Sequence, residues 1–165
     1  MKEKIKYYFK EIVTIIVFVT IATNIMSYYK SQSLNHEPLG IQKFQLLNNQ
    51  TYIVQNNKPL ILHFWATWCP VCKVEASNIN FLSKHFQVIT IAVKSGSNKK
   101  VQDYLNAHHY NFKVVNDKDG KLSKKFHIAG FPTTFIYDKE HKLHSSDVGY
   151  TTTIGLFLRA WWASF

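Results

Sequence analysis

An apolar run from Leu60 to Trp65 leads within a few residues into Cys69-Pro70-Val71-Cys72, and a helix-spaced apolar series follows directly. Near-continuous hydrophobicity over six positions suits a central strand covered on both faces, although a short buried helix fits the same leucines and isoleucines. Pro59 supplies a start. Behind the cysteines, Val71, Val74, Ile79, Leu82 and Phe86 recur close to the helical period and predict a helix over 71–86. Pro70 falls in its first turn, where a missing N–H costs little.

The flanking segments continue this alternation. Phe44 to Leu47 and Thr51 to Val54, separated by Asn48-Asn49-Gln50, predict a hairpin. Val88 to Val93 predicts a strand, Asn98 to His108 a helix, Phe112 to Val115 a short strand, and Lys121 to His127 a short helix. Thr133 to Tyr137 and Leu143 to Val148 bracket the polar turn Asp138 to Lys142, as in a hairpin, and Thr152 to Trp162 is a strongly apolar helical segment. Alternating strands and helices favour an α/β sandwich over an all-helical domain.

Ahead of this domain, Ile12 to Tyr29 carries no charged residue. Eighteen helical residues rise about 27 Å, near the hydrocarbon thickness of a bilayer. Lys2, Lys4, Lys6 and Lys10 precede the run, and Lys30 alone follows within ten positions. That bias predicts residues 1–11 in the cytoplasm, 12–29 across the membrane, a tether over 30–40 and a domain at 41–165 outside. The alternative of a cleaved leader is weakened by Asn24, Met26 and Tyr28-Tyr29, where a cleavage site wants small residues. Export places the cysteines where disulfides persist. The formal charge of +10 raises a nucleic-acid reading, but all the basic residues except Arg159 are scattered lysines, so no nucleic-acid partner is expected.

Two cysteines are too few for a disulfide scaffold or a four-cysteine zinc site. At a helix N-terminus, unpaired N–H groups and the positive end of the dipole stabilise a Cys69 thiolate. Cys72, one turn on, is near enough to displace it from a mixed disulfide. The eight histidines include His108-His109 and His141-x-x-His144, which lack a third ligand, and no metal site or cofactor is expected.

The segment Phe64-Trp65-Ala66-Thr67-Trp68-Cys69-Pro70-Val71-Cys72 resembles the active-site segment of the thioredoxin superfamily, and Gly130-Phe131-Pro132-Thr133 resembles its distant cis-proline loop. The likeness spans about residues 41–165. The N-terminal apolar segment, Glu75, Val115-Asn116-Asp117 and Gly149-Tyr150-Thr151-Thr152-Thr153-Ile154-Gly155-Leu156 resemble TlpA-like protein disulfide oxidoreductases, especially the suppressor-of-copper-sensitivity group, ScsD. This resemblance implies a thioredoxin-like fold with a central mixed β-sheet flanked by helices, after one N-terminal transmembrane helix. It implies Cys69 as attacking and Cys72 as resolving cysteine, with Pro132 cis beside them.

Phe131 and Trp68 are expected to flank the substrate groove, and Trp65 to pack in the core. Glu75 reads either as a thiol-tuning acid or as a solvated helix acid paired with a lysine. His63 stands at the position of the buried acid of ordinary thioredoxin and reads first as a core histidine satisfied by one hydrogen bond, with a proton relay as the alternative. Ser77 replaces a helix-kinking proline of the family, which predicts a straighter active-site helix. Trp161-Trp162 and Phe165 read first as parts of a packed terminal helix, with membrane or partner contact as the alternative.

The expected activity is a membrane-anchored, extracytoplasmic thiol-disulfide oxidoreductase that reduces protein or peptide disulfides and takes electrons from a membrane thiol-redox partner. It is expected at the inner membrane with its domain in the periplasm. A thiol oxidase running the cycle backwards, a copper-binding or chaperone module and a peroxiredoxin-like peroxidase are the alternatives. The last is disfavoured by Leu62 and Ala66, which occupy the proline and threonine positions of the peroxiredoxin Pro-x-x-x-Thr-x-x-Cys motif.

Overall fold

The computed structural model describes residues 2–165, with side chains from residue 6 onward, so those of Lys2 and Lys4 lie outside the described residues. The first element is one helix, α1 (Lys2–Ser31). It reaches beyond both ends of the uncharged run, since the lysines before it are good helix formers. A two-stranded antiparallel hairpin follows, β1 (Lys43–Gln45) with β2 (Thr51–Ile53).

The domain is organised around β3 (Leu60–Trp65), all six residues of which are buried. This strand lies parallel to β4 (Gln87–Val93), which lies parallel to β5 (Lys113–Asp117). On its other side β3 runs antiparallel to β6 (Thr133–Tyr137), and β6 antiparallel to β7 (Leu143–Val148). The order β5-β4-β3-β6-β7 makes a mixed five-stranded sheet. Between the strands come α2 (Pro70–Leu82), α3 (Asn98–Ala107) and α4 (Lys121–Lys125), and α5 (Thr153–Trp162) follows β7.

Alternation along the strands sorts side chains to two faces. Ile61 and Trp65 join Ile79 and Leu82 of α2, Val101 and Leu105 of α3, and Leu156 and Ala160 of α5 in one core. Leu60, Leu62 and Phe64 join Ile89, Ile91, Phe126 and Phe135 in the other. Thioredoxin-like architecture, with helices about a central mixed sheet, is therefore present.

Strand β1 ends at Gln45 rather than Leu47 and α4 at Lys125 rather than His127, and three further differences from expectation have a visible cause. Helix α2 ends at Leu82 rather than Phe86, because the Ser83, His85 and Phe86 N–H groups close a terminal turn onto Ile79 and Leu82. Strand β5 is displaced toward its polar end: Asn116 and Asp117 pair with Ala92 and Val93, and the buried Asp117 carboxylate then accepts from the Leu122 and Ser123 N–H groups, starting α4. The stretch expected as a tether is strapped to the domain. Leu34 and Leu39 are buried in the second core, the Asn35 N–H donates to the Phe126 carbonyl, and the Leu39 N–H donates to that of His141. Two apolar anchors in a polar segment suffice for this.

Candidate functional site

Cys69 ends the loop that leaves β3 and has extended backbone, φ −86° and ψ 114°, as a helix N-cap does. Its Sγ accepts a hydrogen bond from the Cys72 N–H at 3.1 Å, and the two cysteines are joined in a disulfide. In the reduced protein that N–H and the helix dipole favour charge on the Cys69 sulfur over a neutral thiol. Cys69 and Cys72 are both buried, whereas Trp68 and Val71 beside them are exposed.

The loop is braced from outside. The Thr67 N–H donates to Ser95 Oγ at 3.0 Å, and Ser95 Oγ donates to the Val93 carbonyl. Trp68 Nε1 donates to the Lys94 carbonyl at 3.2 Å, which fixes the indole although it is 57% exposed. Its ring meets Phe131 edge-on, centroids 5.6 Å apart. The Phe131–Pro132 peptide is cis, and Phe131 packs against the core that holds both cysteines. Trp68 and the cis-proline loop, 63 residues apart in sequence by their numbering, thus meet in space. Beyond Trp68 lies a hollow of about 590 Å³ with Lys73, Lys94 and Lys100 in its wall, a positively charged approach.

Glu75 is not a solvated acid. It is fully buried one turn beyond Cys72. Its Oε1 accepts from the Thr151 N–H at 2.8 Å, and its Oε2 has no hydrogen-bond partner among the described residues. Burial pushes the carboxyl up to about 8, against the opposing pull of the Thr151 N–H, and the nearby Asp147 charge adds to the rise. A carboxylic acid poised there can give or take a proton near neutral pH. Asp147 is itself raised by burial and held back by its ion pair with Arg159.

His63 is buried, with Nδ1 2.9 Å from Thr134 Oγ1, and burial holds it down to about 3, so it is a neutral core imidazole. Trp65 is likewise internal and donates from Nε1 to Thr90 Oγ1. His108 stacks between Tyr104 and Tyr110, while His141 is buried near the Gln55 carbonyl. Among the described residues no three His, Cys, Asp or Glu side chains are grouped to hold a metal. Sequence reading missed Thr151, Asp147, Lys94 and Ser95. The last two sit in the Lys94-Ser95-Gly96-Ser97 turn after β4, whose position opposite the β3 exit was a usable signal.

Residues 37–146 match the AhpC/TSA family. The chain belongs to that family. A thioredoxin-like protein of Haemophilus influenzae is 32% identical over 168 residues, covering 98% of each chain. Sporulation thiol-disulfide oxidoreductase A of Bacillus subtilis is 32% identical over 107 residues, 61% of this chain and 65% of that one. The crystal structure of StoA from B. subtilis superimposes with a TM-score of 0.62 at 25% identity, over 72% of this chain and 93% of that one. With a disulfide-forming cysteine pair in this setting, this AhpC/TSA member is a thiol-disulfide oxidoreductase of the thioredoxin superfamily, related to the ResA and DsbE proteins. Leu62 and Ala66, at the peroxidase proline and threonine positions, are fully buried apolar side chains.

Proposed function

We propose that this oxidoreductase is a TlpA-like protein disulfide reductase of the ScsD kind, anchored by α1 in the inner membrane with residues 30–165 in the periplasm. The observation that carries the reading is Cys69 as N-cap of α2, its sulfur receiving the Cys72 N–H beside the Trp68–Phe131 contact. The Cys69 thiolate attacks one sulfur of a protein disulfide, forms a mixed disulfide and expels the other substrate sulfur as a thiolate. Cys72, as thiolate, then attacks Cys69 Sγ; the second substrate thiolate leaves and the Cys69–Cys72 disulfide closes. Two electrons pass to the substrate, whose thiolates each take a proton.

Glu75 is the proposed acceptor of the Cys72 proton during resolution, since its acid lies one turn away and titrates near neutrality. Phe131 and Trp68 supply the apolar walls that hold the substrate chain near the sulfurs, with Pro132 beside them. Return to the dithiol takes two electrons from a membrane thiol-redox partner. The anchor is supported by a helix with an apolar window of mean hydropathy 1.8, none of it buried, and by the lysines before it.

The test combines disulfide reduction by the purified full chain with in-cell thiol trapping. A reductase reduces insulin disulfides and is held mainly as the Cys69/Cys72 dithiol in cells. A pair held mainly oxidised in cells overturns the direction and indicates thiol oxidation instead.

A further inference from the structure

Helix α5 has one side in the domain core and an apolar side open to the surroundings. Leu156, Ala160 and, just past the helix end, Ala163 are buried in the first core. Ile154, Leu158, Trp161, Trp162 and Phe165 are all at least half exposed, the last at 77%. At about 100° per residue, Ile154, Leu158 and Trp161 fall within about 60° of one another, opposite the buried set, Trp162 flanks them, and Phe165, past the helix end, meets the Trp161 ring edge-on with centroids 4.9 Å apart. A helix apolar on both faces is covered on both faces. Trp161, Trp162 and Phe165, which read first as packed in the domain with membrane or partner contact as the alternative, lie outside it.

What lies beside that face is α1. Gly155 and Arg159 of α5 line a hollow of about 660 Å³ whose far wall is α1 from Val19 to Lys30. Toward the domain α1 turns a polar stripe, Thr20, Thr23, Asn24 and Ser27, and the Val148 N–H donates to Ser27 Oγ at 3.0 Å. Tyr7-Tyr8 and Tyr28-Tyr29 mark its two ends, and Tyr8 to Tyr28 rises about 30 Å, the span between the interfacial aromatic belts of a bilayer. The α1 turns that face α5 across this hollow are therefore those in the outer leaflet, if α1 spans the membrane as proposed above.

We propose that α5 lies in the interface of the bilayer that α1 crosses, with Ile154, Leu158, Trp161, Trp162 and Phe165 in the lipid. The proposal rests on the reading of α1 as a membrane span. Tryptophan favours that depth, and α5 contains no acidic side chain to be repelled by anionic headgroups. Lipid is the occupant because α5 stands across the hollow from a helix that the reading above places in lipid, which sets its open face beside that bilayer's surface. The domain is thereby seated on the membrane through two elements, and the loop from β7 into α5, residues 149–152, carries the N–H that holds Glu75.

The full chain is reconstituted in phosphatidylcholine–phosphatidylglycerol vesicles with brominated acyl chains, and tryptophan emission is measured before and after an alkaline carbonate wash. The expected result is bromine quenching of the wild type that persists after the wash and is lost in Trp161→Phe/Trp162→Phe. Ile154→Ser/Leu158→Ser, which alters only exposed side chains, should weaken the quenching while disulfide reduction is retained. A chain that resists carbonate but is not quenched overturns the seat of α5 and leaves the anchor standing. A chain released by carbonate overturns the anchor and this proposal together. Unquenched emission with a blue-shifted part that is lost in Trp161→Phe/Trp162→Phe puts a protein or a second copy on the face and also overturns it, as does quenching retained in the double tryptophan variant.

Discussion

Replacing Glu75 by glutamine tests the buried acid with little change of shape. The amide oxygen can still accept the Thr151 N–H, while the charge is gone at every pH. Because the folded-state value, about 8, lies above the usual 4.5, the folded protein holds this proton over a range where the unfolded chain has lost it. The sign follows: the wild type is relieved of the burial cost below pH 4.5 and loses stability as pH rises toward 8. At about 1.36 kcal/mol per pH unit, the limit is about 5 kcal/mol, reduced in practice by water and protein relaxation. Urea unfolding of the full chain in detergent, with the disulfide intact, should therefore show Glu75→Gln ahead of the wild type by an amount that grows between pH 5 and 8. A difference constant across that range would refute the assignment of a strongly raised carboxyl. In the reduced enzyme the same substitution should remove a pH-dependent limb near 8 from the rate of disulfide release.

Cys72→Ser should accumulate mixed disulfides through Cys69, and Cys69→Ser should form none, as read by trapping and non-reducing gels. His63, held down to about 3, contributes stability that is complete above pH 6.5 and lost as pH falls toward 3; His63→Leu should flatten that acid limb in unfolding titrations, whatever its constant offset. Arg159→Ala leaves the mostly buried Asp147 carboxylate without its partner and should cost about 1–3 kcal/mol by urea unfolding at pH 7, with the loss shrinking as Asp147 is protonated in acid. Trp68→Ala removes the edge contact with Phe131 and should raise KM for a protein disulfide more than it lowers the rate with a small-molecule disulfide, measured by insulin and dithiol-exchange assays.

Strand β3 was readable to the residue because a near-continuous apolar run of six, begun at Pro59 and broken only by His63, is short for a helix, and β6 and β7 because turn residues enclosed them. The cysteine pair was readable for a related reason: its chemistry depends on local helix geometry, which spacing encodes. Glu75 was singled out only by the family resemblance; its burial was not readable from the residues, since a glutamate in the second turn of a helix resembles any solvated acid until a backbone N–H from residue 151 closes over it. Asp147 and Arg159 meet only because β7 and α5 fold beside each other, and neither carries a local pattern that says so. The exposed side of α5 was equally hidden, because an apolar helix reads the same whether domain or lipid covers it.

The buried positions of Leu34 and Leu39 move the working start of the domain ahead of its first strand. Any soluble version cut at Gly40 would uncover two leucine-sized holes over Phe126, Phe135 and their neighbours, a loss of about 2–5 kcal/mol for each anchor. It would also strip the partners of the Phe126 and His141 carbonyls. A version beginning at Gln32 keeps both leucines and both bonds while discarding α1. For anyone cutting α1 away, eight residues that look like spacer decide how much of the second core survives in what remains.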